Sequence, residues 1–220
     1  MNSHEVLEEQ YTRRFHAAQA YRDRVWVAIL HAKIQKLVGY ERDILDLGCG
    51  WGEFIRNVAA GNKYAMDLNP DAANYLGDDV QFLHQDCSTR WLLEDNSLDV
   101  VFSSNFIEHL PSKEAIEAMV GEANRCLRPG GTIIFLGPNI RYVGGAYWDY
   151  WDHHVPITDR SLIEMLELHN FEIVNIVRRF LPYTMSGGFQ PPVQLVRLYL
   201  ALPLFWPLLG KQFLVVAKMQ

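Results

Sequence analysis

The chain has 220 residues, of which 49% are hydrophobic and 21% are charged, and it can therefore bury a full globular core. Its formal net charge of −6 argues against a nucleic-acid partner, because phosphate binding requires clustered Lys and Arg. Three scattered cysteines without a CxxC pair, and a charged N-terminal stretch without an apolar run, favour a cytoplasmic protein with reduced thiols.

The predicted elements begin with one long helix and then alternate between strands and helices. Apolar residues at helical spacing, with no Pro or Gly before Gly39, predict a helix over residues 5–38. Buried strands follow at 43–47, 63–67, 80–84, 98–103 and 132–136, and helices at 53–59 and 112–127. A short helix starts at Pro70, and a helix at 159–169 and strands at 172–178 and 212–218 come later.

This alternation predicts an α/β fold with a doubly wound, mostly parallel sheet. We interpret the chain as one domain in three parts. Residues 1–40 form an N-terminal helical cap, residues 41–138 a ligand-binding core, and residues 139–220 an acceptor-side loop, an apolar insertion and the last strands.

A glycine-rich turn follows the first predicted strand and carries most of the functional signal. Its spacing is G-x-G-x-G from Gly48, whereas the G-x-G-x-x-G spacing is typical of a pyrophosphate loop. Asp46 lies two residues before Gly48 and would repel a pyrophosphate but attract an ammonium or sulfonium group. Asp67 ends the next strand, where an acid can bind both ribose hydroxyls. The pattern favours a phosphate-free, cationic adenosyl ligand.

Five motifs in order resemble class I S-adenosylmethionine-dependent methyltransferases, of the small-molecule and glycan-pathway type in the methyltransferase-11 and methyltransferase-23 groups. They are ILDLGCGWGEF from Ile44, YAMDLNP from Tyr64, HQDC from His84, LDVVFSSNFIEHL from Leu98 and LRPGG from Leu127. The resemblance implies a seven-stranded sheet with an antiparallel last strand, and S-adenosylmethionine as cofactor with S-adenosylhomocysteine as product.

The resemblance also implies which residues contact the cofactor. In the family, the first three motifs hold the adenosyl part, the fourth lines the methionine end, and an N-terminal Tyr and Arg cover the methionine carboxylate. Carried over position by position, the expected cofactor-binding residues are Tyr11, Arg14, Asp46, Gly48, Cys49, Gly50, Asp67, Leu68, Asp86, Cys87, Ser104 and Asn105. Tyr11 and Arg14 can equally belong to a packed helix that leaves Arg14 in solvent.

His109 is the candidate general base, because it follows the fourth strand at the edge where open α/β sheets bind ligands. The alternative is that Glu108 and His109 only brace the following helix. An amine acceptor would need no strong base, only a neutral lone pair in line with the methyl group.

An aromatic segment after the fifth strand is the candidate acceptor-binding region, since aromatic rings can stack on a sugar or enclose an amine. The alternative is a capping cluster over the sheet edge. The candidate residues are Tyr142, Tyr147, Trp148, Trp151, His153 and His154. No metal-ligand spacing is present, and we expect no metal site.

Residues 195–209 are strongly apolar, but Arg197, Pro203 and Pro207 interrupt them and they are too short to span a bilayer. They are interpreted as core, a lid helix or a homodimer interface, with peripheral membrane contact or a lipid-linked acceptor as the alternative.

The sequence therefore predicts a cytoplasmic methyltransferase, or one that is membrane-associated, that acts on O or N of a small-molecule or glycan-type acceptor. Two alternatives remain: a non-catalytic S-adenosylmethionine-binding regulator or assembly protein, and an NAD-dependent oxidoreductase, which the loop spacing disfavours.

Overall fold

The computed structural model describes residues 19–183 and 190–220. Within these ranges, seven strands form one sheet with helices on both faces. The strands are β1 (Ile44–Leu47), β2 (Lys63–Asp67), β3 (Val80–His84), β4 (Leu98–Ser104), β5 (Leu127–Pro138), β6 (Phe171–Val177) and β7 (Gln212–Met219). The α-helices are α1 (Gln19–Ile29), α2 (Gln35–Val38), α3 (Glu53–Asn57), α4 (Lys113–Cys126), α5 (Ile140–Val143), α6 (Asp159–Leu168), α7 (Val193–Ala201) and α8 (Trp206–Leu209).

The sheet has the order β3-β2-β1-β4-β5-β7-β6. Strands β1 to β5 pair in parallel, whereas β7 runs antiparallel to both of its neighbours, β5 and β6. The predicted seven-stranded methyltransferase-type sheet with an antiparallel last strand is confirmed. The carboxyl ends of β1, β2, β3 and β4 consequently meet at one edge, which is where open α/β sheets bind ligands.

Two apolar layers result from the alternation of side chains along the strands. In β1, Leu45 and Leu47 face one layer, which α4 and α6 cover, while Ile44 faces the other, which α1, α2 and α3 cover. All four residues of β1 are buried, and strands buried on both sides are typical of a parallel sheet with helices on both faces.

The N-terminal helix is not continuous over the described part of residues 5–38. A π-helical turn, Leu30–Ile34, separates α1 from α2, and Gly39 with a φ of 83° ends the helix. The turn keeps Leu30 and Ile34 in the buried layer. Hydrophobic periodicity could not predict it, because an inserted π-turn changes the phase by a single residue.

The last third contains more regular structure than the sequence indicated. The region predicted as a loop at 139–156 contains α5 and a 3₁₀ helix (Gly144–Asp149). Strand β5 begins at Leu127 and not at residue 132 as predicted. Leu127 already pairs with Leu98, and a register shift follows at the Pro-Gly-Gly sequence. The apolar insertion folds as α7, a 3₁₀ turn (Pro203–Phe205) and α8.

Candidate active site

The glycine-rich turn between β1 and α3 lies at the carboxyl edge of the sheet. Gly48, Gly50 and Gly52 all have positive φ, of 66°, 53° and 70°. A β-carbon at Gly48 would collide with the ring of Phe106, so this position requires glycine for space as well as for conformation. The Gly48 and Cys49 amides donate to the Met66 carbonyl at 2.9 and 3.2 Å, which fixes the turn against β2.

Asp67 ties this turn to the one after β2. Its carboxylate accepts a hydrogen bond from the Gly50 amide on Oδ2 and another from the Asn69 amide on Oδ1, both at 2.9 Å. Burial raises the pKa of Asp67, and the two amide donors oppose that rise. The carboxylate therefore has a fixed position at the end of β2, as expected for a ribose-binding acid.

Asp46 is a buried carboxylate at the end of β1, with 3% of its surface exposed. Burial, and then the neighbouring carboxylates of Asp67 and Glu53, hold its pKa well above the usual range. A crowded set of acids costs free energy to ionise unless a cation joins it. This donor set fits a ligand that carries a sulfonium and an ammonium group.

The third acid, Asp86, follows β3. Its Oδ1 accepts hydrogen bonds from the Ser88 amide at 2.8 Å and the Ser88 hydroxyl at 2.7 Å. The Cys87 carbonyl accepts a hydrogen bond from the Trp91 indole, and burial raises the pKa of the Cys87 thiol to about 12. A thiol with so high a pKa is unreactive near neutrality. The exposed side chain of Leu68 lies on the same edge, beside Asp67.

A cavity of about 370 Å³ runs from the glycine-rich turn to the loops after β4 and β5. Of the expected cofactor-binding residues, it includes Asp46, Gly48, Cys49, Ser104 and Asn105. Gly50, Asp67, Leu68, Asp86 and Cys87 are not part of its lining and continue along the same sheet edge. Tyr11 and Arg14 lie outside the described residues, so their expected contact remains a prediction.

Helix α1 supplies a wall of this cavity that the sequence did not indicate. Tyr21 and Arg22 line it, and Arg22 forms an ion pair with Glu53 at 2.9 Å between Nε and Oε1. The Arg22 guanidinium also lies 5.8 Å from the Trp51 ring centroid. Both partners of the ion pair are buried, and it fixes α1 against α3. The sequence could not single out Arg22 as a cavity residue, because its burial depends on the ion pair with Glu53, which only the structure shows.

His109 lies in the cavity at the start of the loop after β4. Its Nδ1 lies 2.9 Å from the Asp152 carbonyl oxygen and 3.5 Å from Asp152 Oδ2. A carbonyl can only accept a hydrogen bond, so Nδ1 carries the proton and the Nε2 lone pair is available. The His109 ring also meets the His153 ring edge to face, with centroids 4.8 Å apart.

Glu108, His109 and His153 come together although 44 positions separate the last two in the chain. One ligand atom from each lies within 4.8 Å of the others, so within the described ranges these three could hold a metal ion. Glu108 Oε2 is buried without a hydrogen-bond partner, and burial raises the pKa of this carboxyl. The sequence predicted no metal site, since it offered no short ligand spacing.

The candidate acceptor residues are distributed unevenly. Of the six, His153 lines the cavity, together with Tyr150, Asp152 and Tyr183, which are not among those six. Tyr147 is fully buried and donates to the Val155 carbonyl, and Tyr142 lies under the Arg179 guanidinium at 4.8 Å. Trp148, Trp151 and His154 are exposed and are not part of the cavity lining. Composition indicated an aromatic region but could not show which rings face inward.

Residues 45–135 match the family model described as a methyltransferase domain. The fold is similar to a SAM-dependent methyltransferase from Archaeoglobus fulgidus, with a TM-score of 0.68 and 21% identity over 93% of this chain and 98% of that one. It is also similar to the Haloferax volcanii methyltransferase in complex with the Trm112 activator. That comparison has a TM-score of 0.68 and 17% identity over 93% of this chain and 94% of that one. Residues 45–135 thus resemble a methyltransferase domain, and the whole described fold is that of the class I S-adenosylmethionine-dependent methyltransferases. The similarity to S-adenosylmethionine-dependent methyltransferases supports the expected cofactor, S-adenosylmethionine, with S-adenosylhomocysteine as its product.

Curated relatives match only the core of this chain. The chain is 31% identical over 102 residues to phosphoethanolamine N-methyltransferase 1 of Triticum aestivum. The matched region covers 42% of the chain and 20% of the relative. Phosphoethanolamine N-methyltransferase 2 of Caenorhabditis elegans is also 31% identical, over 104 residues, 41% of the chain and 22% of the relative. The chain thus spans about a fifth of the length of these curated relatives.

Among the described residues, no helix combines the length and the apolar character needed to cross a membrane. The apolar helix α7 has nine residues, which is less than half of what a bilayer-spanning helix requires.

Proposed function

We propose that this chain transfers the methyl group of S-adenosylmethionine to an oxygen or nitrogen of a small-molecule or glycan-type acceptor. The observation that carries the proposal is the single cavity that Asp46 and Asn105 line at one end and His109 and Tyr150 line at the other. A donor and an acceptor bound in one shared cavity can meet in line, which provides much of the catalysis for this reaction.

In this proposal the acids at the sheet edge hold the donor. Asp46 attracts the positive end of the cofactor, Asp67 binds the ribose hydroxyls, and the second oxygen of Asp86 receives the adenine amine. Gly48 lets the backbone approach the cofactor, and Leu68 and Cys87 lie against the adenine. Ser104 and Asn105 provide polar groups at the methionine end. The side-chain amide of Asn105 donates a hydrogen bond to Ser104 Oγ at 3.0 Å.

His109 is the proposed catalytic residue for a hydroxyl acceptor. The acceptor oxygen attacks the methyl carbon, the carbon–sulfur bond breaks, and sulfur leaves as a neutral thioether. The proton of the hydroxyl moves to Nε2 of His109, which the hydrogen bond from Nδ1 to the Asp152 carbonyl holds in the required tautomer. An amine acceptor would enter with its lone pair free, and the same histidine would then accept a proton after transfer.

The names of the curated relatives suggest phosphoethanolamine as one acceptor to test. The similarity lies in the donor-binding core, so it supports the donor more than the acceptor. A small polar headgroup is compatible with the acceptor side of the cavity, where Tyr150, Tyr183 and Glu108 surround the space near His109.

The competing function is a regulator or assembly protein that binds S-adenosylmethionine without catalysis. A cavity that extends from Asp46 past His109 favours the enzyme, because a pure binder has no use for space beyond the methyl group.

The deciding experiment is transfer of labelled methyl from S-adenosylmethionine into an extract of the source cell, separated into lipid and aqueous fractions. Asp67→Ala is the control that removes donor binding, and Asp78→Ala, an exposed acid, is its matched comparison. Label that depends on Asp67 but not on Asp78 supports the enzyme. Cofactor binding without any labelled product would favour the non-catalytic alternative.

A further inference from the structure

The segment that closes the cavity has a second, outward apolar surface. It consists of exposed side chains on α7, the following 3₁₀ turn and α8, and we refer to it as the apolar surface. Its members are Leu195, Leu198, Leu202, Leu204, Phe205, Leu208 and Leu209, each between 39% and 81% exposed. So many neighbouring large apolar side chains are typical of a contact surface rather than of ordinary solvent-facing structure.

Specific contacts hold this segment on the domain, so its outward side chains are presented in a defined arrangement. The Tyr199 hydroxyl donates to the Phe180 carbonyl at 2.7 Å, and the Trp206 indole donates to the Tyr199 carbonyl at 3.1 Å. The Phe180 and Trp206 rings meet edge to face at 4.9 Å. The inner side of the segment is thus packed, and the apolar surface is what remains.

Charge identifies the kind of partner. Residues 173–220 contain no Asp or Glu, although the whole chain has a net charge of −6, and the basic residues next to the apolar surface are Arg197 and Lys211. Arg197 is exposed on α7 beside Leu198, and exposed Lys211 follows α8. Apolar side chains next to basic residues are typical of surfaces that lie on an anionic bilayer.

A second copy of the chain fits this surface less well. In a two-fold dimer the same surface faces itself, so the basic residues of both copies would approach one another without acids to compensate. A bilayer that carries anionic headgroups satisfies both the apolar and the basic side chains.

The apolar surface is continuous with the cavity. Leu195 and Leu209 are exposed and also line the cavity, whose inner wall includes Val196 and Tyr199 from the same segment. A molecule could therefore have its polar end near His109 and an apolar chain that leaves past Leu195 and Leu209 into the lipid.

We propose that the apolar surface docks on an anionic lipid bilayer and that the methyl acceptor is the polar headgroup of a lipid-linked molecule that enters the cavity from that side. This inference rests on the proposed function, because it names the acceptor of the same site. The transfer is as described above: methyl moves from sulfur to a headgroup oxygen or nitrogen, and that atom loses its proton.

The test is co-sedimentation of the full chain with vesicles of phosphatidylcholine alone or of phosphatidylcholine with phosphatidylglycerol. The test variant is Leu204→Asp with Leu208→Asp, at positions 81% and 68% exposed and outside the cavity lining. The matched control is Leu92→Asp with Leu168→Asp, at positions 78% and 76% exposed elsewhere on the domain. Titration with S-adenosylhomocysteine checks that each variant keeps its cofactor site.

We expect wild type and control to bind the anionic vesicles more tightly than the neutral ones, and the test variant to lose about tenfold or more of that binding. Equal loss in the control, or no vesicle binding by the wild type, would overturn the inference. So would a wild-type dimer in light scattering that the test variant dissociates. Labelled methyl in the aqueous fraction without vesicle binding would contradict the docking and leave the proposed function standing. Vesicle binding without any methyl transfer would contradict the proposed function.

Discussion

At the scale of single residues, the donor end of the site is specified by local sequence. The positive φ of Gly48 and the crowded carboxylate of Asp46 both belong to one short stretch around the turn after β1. The acceptor end differs, because Glu108 and His153 meet only after the sheet has brought two distant loops together. Short-range patterns are therefore enough to propose the donor residues, whereas the acceptor cluster depends on tertiary packing.

Replacing Gly48 by Ala should lower both stability and cofactor binding. The new β-carbon collides with Phe106 and occupies a left-handed backbone conformation, for which we expect a loss of about 2–3 kcal/mol in the free energy of unfolding. Gly121→Ala is the matched control, because nothing lies within 4 Å of its added methyl group and it sits inside α4. It should stabilise by roughly 0.5–1 kcal/mol. Urea unfolding measures both, and equal effects would contradict the role of Gly48.

Binding of S-adenosylmethionine should release protons. The pKa of Asp46 is held well above its usual range in the free protein, and a cationic ligand favours the ionised carboxylate. Affinity should therefore rise as pH increases through the raised pKa and then level off. Asp46→Asn removes the titrating group, so its affinity should be low and less dependent on pH, with fewer protons released.

Isothermal titration calorimetry in two buffers with different heats of ionisation counts these protons. Asp78→Asn, at an exposed position, should behave like the wild type. Unchanged proton release in Asp46→Asn would assign the titration to another group, the first candidate being Asp67, whose pKa burial also raises.

Replacing His109 by Gln should reduce turnover with a hydroxyl acceptor by about a hundredfold or more and leave cofactor affinity unchanged. The loss should be smaller with an amine acceptor, which needs no base before transfer. His31→Gln, at an exposed position on the N-terminal helical layer, is the control. Activity with and without a chelator completes the test. A loss on chelation that a divalent ion restores would make His109 a ligand alongside Glu108 and His153.

At the scale of elements, most boundaries were predicted within a few residues, since buried strands and capped helices carry strong local signals. Ser112 caps α4, with its hydroxyl accepting a hydrogen bond from the Ala115 amide. The π-helical turn after α1 and the early start of β5 were not predicted, because the first depends on packing and the second on pairing with Leu98.

Asp159, the first residue of α6, joins three elements at the end of the sheet. Its carboxylate is 1% exposed and accepts hydrogen bonds from Asn139 Nδ2 at 2.9 Å and Arg178 Nε at 3.1 Å. Asp159→Ala removes the acceptor of the buried Asn139 amide and the ion-pair partner of the exposed Arg178, and it should cost about 1–3 kcal/mol of stability. Exposed Glu164→Ala on the same helix should change stability by about 0.5 kcal/mol or less. Thermal unfolding compares the two, and similar shifts would mean that Asp159 is not a structural link.

At the scale of the whole molecule, the motifs in order predicted the sheet and the direction of its last strand. They could not predict that α7 and α8 would present one apolar side to the cavity and the other to the outside, because hydrophobicity alone does not distinguish an inner from an outer surface.

The position of β7 also has a consequence for biosynthesis. Strand β7 follows β6 in the chain but lies between β5 and β6, so β6 has no sheet neighbour until β7 has left the ribosome. Throughout that interval the apolar segment of α7 and α8, which is translated before β7, has no finished sheet to pack on. Chaperones that recognise extended apolar stretches therefore have a defined period in which to bind the nascent chain. That period ends when β7 pairs with β5 and β6.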